Sequence, residues 1–180
     1  DQITAVAIDA AGNTSELSAN GIAANDAPVL DNSGVMTLTT ITEDNASNSG
    51  NTLSSVIASA GGDRITDADF GALEGVAITS LTSGNGAWEY SINGGGSWNA
   101  VGSVTNASAL LLRETDRLRF VPNGQDGTTA SVTFRAWDET SGAAGTQVDT
   151  STNGGATAFS TATETADITV TAVNDAPVNN

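Results

Sequence analysis

Trp88-Glu-Tyr-Ser-Ile-Asn-Gly-Gly-Gly-Ser-Trp98 carries the clearest structural signal in the chain. Side chains along a strand alternate between its two faces. Trp88, Tyr90 and Ile92 therefore fall on one side, and Glu89, Ser91 and Asn93 on the other. Asn93-Gly-Gly-Gly96 then supplies residues that accept positive backbone angles, which a tight hairpin turn requires. Two aromatics and an isoleucine on one face beside such a turn predict a hairpin packed on a core.

The same period-two alternation recurs on both sides of the hairpin. It predicts strands at Val35–Ile41, Val76–Leu81, Ala109–Leu112, Asp116–Val121, Ala130–Trp137 and Ala166–Ala172. Leu118, Phe120, Val132, Phe134, Ile168 and Val170 should face inward with Trp88, Tyr90 and Ile92. Residues 52–59 suit a short helix stopped by Gly61-Gly62. Trp137 alternates away from Phe134 and lies either under the following segment or in the open. That segment, 139–165, is rich in Gly, Ser and Thr and reads as a long loop or an extra hairpin. Many short strands with glycine-rich turns give an all-β fold, an antiparallel β-sandwich. The spacing Ser91-x-Asn93-x-Gly95-x-Ser97-Trp98 also fits the Asp-box turn of several β proteins, a hairpin brace rather than a functional site.

The 180 residues include 21 Asp and Glu against five Arg, for a net charge of −16. Such a surface repels nucleic acid and anionic membrane and attracts divalent cations. With no His and no Cys, the usual nucleophile–base pairs, zinc sites and disulfides are excluded. Carboxylates, amides and carbonyls remain, the hard oxygen ligands that suit Ca2+. Aromatic residues are only 4% and no carboxylate pair sits in a cleft-forming context, so the reading is non-enzymatic. Four of the five arginines, Arg113, Arg117, Arg119 and Arg135, lie in two stretches and should make surface ion pairs.

One pentapeptide occurs twice: Asn25-Asp26-Ala27-Pro28-Val29 returns as Asn174-Asp175-Ala176-Pro177-Val178, about one domain's length further on. Proline stiffens each copy and extends the residue before it, so each reads as an interdomain linker. Residues 1–24 then read as the trailing strand and linker of a preceding Ig-like repeat. The sandwich spans 25–173, and 174–180 starts the linker to the next repeat.

The two linkers, the Asp67-Ala-Asp69 loop and the strand end Ala136-Trp137-Asp138 resemble those of cadherin-type repeats. The span 25–178 is similar to the long cadherin-like tandem repeats of giant bacterial RTX-type surface adhesins, secreted by type I systems. That resemblance implies an Ig/cadherin-like sandwich with calcium-binding interdomain linkers. It also implies a calcium-stiffened extracellular spacer in cell-surface adhesion and biofilm formation, whose partners are neighbouring repeats of the same polypeptide. Carried over by residue, Asn25, Asp26, Asp67, Asp69 and Asp138 would hold Ca2+ at the amino-terminal junction. Glu43, Glu114, Asn174 and Asp175 would hold it at the carboxy-terminal one. Two departures, Ala27 and Ala176 in the linkers and Leu112 before Arg113-Glu114, each remove an oxygen ligand and imply fewer or weaker ions.

A second reading is a carbohydrate- or ligand-binding adhesin module that uses Trp137 and the 139–165 loop on a cell-surface glycan. A third is self-association through an open sheet edge. Asp149-x-Ser151-x-Asn153-Gly154 begins like an EF-hand loop, but Ser160 stands where the closing Glu belongs.

Overall fold

Alternating apolar residues become strands throughout residues 24–176, the part of the chain that the computed structural model describes. The trailing strand expected at 1–24 lies outside the described residues apart from Ala24, as does the second linker from Pro177 on. The domain opens with β1 (Val29–Leu30), β2 (Met36–Thr37), β3 (Ile41–Thr42) and β4 (Asn51–Thr52). Helix α1 (Leu53–Ala58) forms where a short helix was expected, capped by the Thr52 hydroxyl, which accepts from the Ser55 N–H. Then come β5 (Ile65–Thr66), β6 (Gly75–Thr82), β7 (Gly86–Ser91), β8 (Asn99–Ala100) and β9 (Ala109–Arg113). The chain closes with β10 (Arg117–Pro122), β11 (Thr128–Trp137), β12 (Gln147–Val148) and β13 (Glu164–Thr171).

The larger sheet runs β12-β9-β6-β11-β13-β2, with β3 also on β13; the smaller runs β4-β10-β7-β8, and β1 pairs with β5. Val76, Ile78, Leu110, Val132, Phe134 and Ile168 of the larger sheet share one core with Trp88, Leu118 and Phe120 of the smaller. Trp88 meets Phe120 edge to face at 5.1 Å and donates its indole N–H to the Thr82 carbonyl, so the ring is buried without an orphan donor.

Three expectations need correcting. The sandwich is not purely antiparallel, because β2 and β3 run parallel to β13. The single strand expected at Val35–Ile41 is split: Leu38 N–H still reaches Asp167 O, but Thr39 N–H turns to Asn51 Oδ1. Ile92 is 45% exposed rather than inside, and Tyr90 is only half-buried. Strand β7 ends at Ser91, whose hydroxyl turns inward, donates to Asn93 Oδ1 and accepts from Gly95 N–H. Those bonds, with Ser97 N–H on Asn93 Oδ1, make the expected hairpin brace.

The larger sheet is covered on its other face as well. Trp137, Ala77, Ala109 and Leu111 point there and pack under Ala158 and Phe159 of the 139–165 segment. β12 pairs with β9 and Phe159 bridges to Trp137, so the segment is an integral lid on a second small core. Gly75 permits this closeness: a Cβ there would stand 2.7 Å from Trp137 Cε3.

Candidate functional site

Strand register decides which carboxylates meet. Trp137 pairs with Gly75, and Gly75 with Arg113, so the residues just beyond, Asp138, Glu74 and Glu114, emerge at one pole. At the opposite pole Thr171 pairs with Thr42, which brings Glu43 beside Val173 and the second linker.

At the first pole, four hydrogen bonds join the first linker to the domain. Asn25 Nδ2 donates to Asp138 Oδ2 at 2.9 Å and to the Thr157 carbonyl at 3.2 Å. Asp26 N–H donates to Asp69 Oδ2 at 2.8 Å, and Ala27 N–H to the Gly155 carbonyl at 2.8 Å. Asp67 Oδ1 accepts from Asp69 N–H, which shapes the Asp-x-Asp loop. Asp67 Oδ2 is buried with no hydrogen-bond partner. Asp138 is 2% exposed, and its other oxygen accepts from Thr140 N–H and Oγ1. All five residues expected at the amino-terminal junction therefore lie at this pole, beside a cleft of about 560 Å³ lined by Asn25, Asp69, Phe70, Asp138 and Glu139.

At the second pole, Glu43 is fully buried. Its Oε1 accepts from Val173 N–H at 2.6 Å, and its Oε2 has no partner. Asn174 and Asp175 follow directly and are exposed. Glu114 does not belong with them. Its backbone N–H donates to Glu74 O at 3.0 Å, which sets it at the first pole, so the expected set of Glu43, Glu114, Asn174 and Asp175 is divided between the two ends.

Among the described residues no three acidic side chains converge closely enough to chelate one ion. The observation that favours a cation is narrower. Asp67 Oδ2 and Glu43 Oε2, together with Glu164 Oε2, are buried oxygens with no donor, an arrangement that costs free energy unless a hydrogen-bond donor or a positive charge satisfies it. The ion pairs among the described residues join Arg64 to Asp31, Arg113 to Glu139 and Arg119 to Glu89, so none serves Asp67 or Glu43. Asp31, held by Ser33 and then by Arg64, is lowered to about 2.

Sequence reasoning missed Glu74 and Glu139 at the first pole. Each adjoins a strand end, Glu74 before β6 and Glu139 after Asp138, and that position was the available signal. Burial raises the Glu74 carboxyl above its ordinary value, helped by the charges of Asp63 and Glu114. Burial likewise raises Glu139; Arg113 opposes the shift, and Asp116 and Glu114 add to it. A carboxyl raised by folding favours the folded state while it stays protonated and loses that contribution as pH climbs through its folded value. In chelator, the melting midpoint should therefore fall as pH rises above the ordinary carboxylate range, and Glu74→Gln should flatten the slope. A midpoint that climbs steadily above that range would contradict this account of the pole.

Two expectations end here. Trp137 is 1% exposed and its indole N–H donates to the Ser141 carbonyl at 2.8 Å, so it offers no face to a sugar. The glycan reading through Trp137 fails because the 139–165 segment is spent on covering that ring. Asp149 accepts from Ser151 N–H in a local turn, and Asn153 Nδ2 donates to Thr150 O, which closes the EF-like stretch on itself.

No protein family, no curated protein and no solved structure matches this chain.

Proposed function

We propose that the chain is a non-enzymatic spacer repeat of an extracellular bacterial adhesin, an Ig/cadherin-like sandwich stiffened by Ca2+ at its two poles. One observation carries the reading: Asp67 at the first pole and Glu43 at the second each hold a buried carboxylate oxygen without a donor. Asp67 shapes the loop whose Asp69 accepts from Asp26 N–H, and Glu43 accepts from Val173 N–H, just before the second pentapeptide. Asp67, Asp69 and Asp138 with Asn25 and Asp26 are the donors at the first pole; Glu43, Asn174 and Asp175 are those at the second. A bound hard cation supplies the positive charge that these oxygens lack. The chain's part is to hold the oxygens at the ends of a rigid sandwich and to tie each linker to them. A linker so tied cannot swing freely, and neighbouring repeats become a rod.

Calcium should bind in the range of about 10⁻⁴–10⁻³ M, as in other extracellular modules. At about 100 times the dissociation constant, one site on the folded state adds about 2.7 kcal/mol, or about 5–10 °C in melting midpoint. Asp69→Ala should remove most of that shift and Glu114→Ala little of it. Glu43→Gln should behave differently, raising stability in chelator because an amide costs less to bury than a carboxyl group whose second oxygen has no donor. If calorimetry detects no calcium binding and the midpoint is the same in calcium and chelator, the carboxylates serve only the domain's own hydrogen bonds and the reading fails. Small-angle scattering on two linked repeats tests the mechanical claim, since equal flexibility in calcium and chelator would refute it.

A further inference from the structure

Most strand edges of this sandwich are guarded, and one is not. Thr37 N–H in β2 goes to Ser59 Oγ, and Thr39 N–H just beyond it to Asn51 Oδ1. Asn51 itself lies in β4, so that contact closes one edge of each sheet. Elsewhere a carboxylate stands at the strand end: Asp31 follows β1, Asp67 follows β5 and Asp149 follows β12. Charge at an edge opposes pairing with another chain. Strand β8 ends the smaller sheet with neither device, and its Asn99 and Ala100 are exposed. Val101 N–H donates to Trp88 O at 3.0 Å. Bonding direction alternates along an antiparallel ladder, so the Ala100 N–H and C=O point away from β7. Between β8 and β12 the two sheets part over a cleft of about 470 Å³, and among the described residues nothing folds over the edge.

We infer that β8 is the edge through which two copies of this chain pair, antiparallel about a two-fold axis at Ala100. Charge permits pairing here and opposes it elsewhere. From Gly75 to Arg113 the sequence holds one acidic residue, Glu89, and Arg119 meets it at 2.6 Å, whereas the whole chain carries −16. Gly102, with φ of +69°, ends the extended run on one side. A register centred on Ala100 sets each copy's outward N–H against the other's C=O. That register also places Trp98 beside Gly102 of the second copy, twice by symmetry. Trp98 lies on the outer face of the sheet, stacked on the Arg119 guanidinium at 4.1 Å, and a Cβ on Gly102 would have no neighbour within 4 Å. An indole across from an edge glycine covers backbone that otherwise faces water. The strand is short and the interface small, so the association is weak. The inference goes beyond the spacer reading and needs no calcium.

Sedimentation equilibrium of the 180-residue chain in chelator tests it. At about 0.15 M salt the share of dimer should grow with concentration. At about 1 M salt it should grow further, because screening removes the repulsion between two chains of charge −16. Ala100→Lys and Ala100→Glu change the net charge in opposite directions, yet each sets like charges face to face on the axis. Each alone should therefore be monomeric. Mixed together, they should form a heterodimer through the opposite charges. Ala100 is exposed, so both variants should keep the melting midpoint of the unmodified chain. A chain that stays monomeric at every concentration overturns the inference. So does a dimer that survives both substitutions, or a mixture that fails to pair. None of these results touches the calcium reading, whose test is the single chain's own midpoint in calcium and chelator.

Discussion

Phe134→Ala is expected to lower stability by about 3–5 kcal/mol, a large share of the 5–15 kcal/mol typical of a domain. The ring is 1% exposed in the middle of β11, between β6 and β13, and belongs to the core shared by both sheets. Its removal leaves a cavity whose walls are strands tied on both sides, and such walls relax poorly. For a domain of this size the melting midpoint should drop by about 10 °C or more. Chemical denaturation with an unchanged slope would attribute the loss to packing alone. A loss under about 1 kcal/mol would mean that β11 faces the other way.

Trp137→Ala should cost a similar amount, about 3–5 kcal/mol, but with a different signature. Its neighbours belong to the second core, so the lid loses its anchor while the main core keeps its contacts. Limited proteolysis should cut within 139–165 well below the global midpoint, and cutting confined to the chain ends would contradict the lid. Trp137→Phe should recover part of the stability without the bond to Ser141, separating ring packing from the indole N–H.

The candidate site was legible in part. Asp67 and Asp69 announce themselves as an Asp-x-Asp loop, and Asp138 as a strand end, because both are local patterns. Their meeting with Asn25 follows from β11 ending at the pole to which the linker returns. Glu114 was assigned to the wrong pole because Leu-Arg-Glu reads identically at either end of a strand. Only the pairing of Gly75 with Arg113 decides which end that is. Glu74 and Glu139 gave no motif at all, and their raised carboxyls arise from burial and from the nearby charge of Glu114, which no spacing reveals.

Alternation by itself determined that this chain is a β protein, since a period of two places Val132, Phe134, Ile168 and Val170 on one face whatever the strands pair with. Composition by itself removed His and Cys chemistry, and the pentapeptide at 25–29 stands out because it recurs at 174–178. Tertiary structure decided what depends on distant residues. It laid β2 and β3 parallel to β13, and it split a strand that looks continuous, because Thr39 N–H reaches across to Asn51. It buried Trp137, because Ala158 and Phe159, some twenty residues on, return to cover the second face. It also left one oxygen of Glu43 and one of Asp67 without a donor. A side chain's face is a local property of the backbone, whereas its burial and its hydrogen-bond partners belong to whatever the fold brings against it.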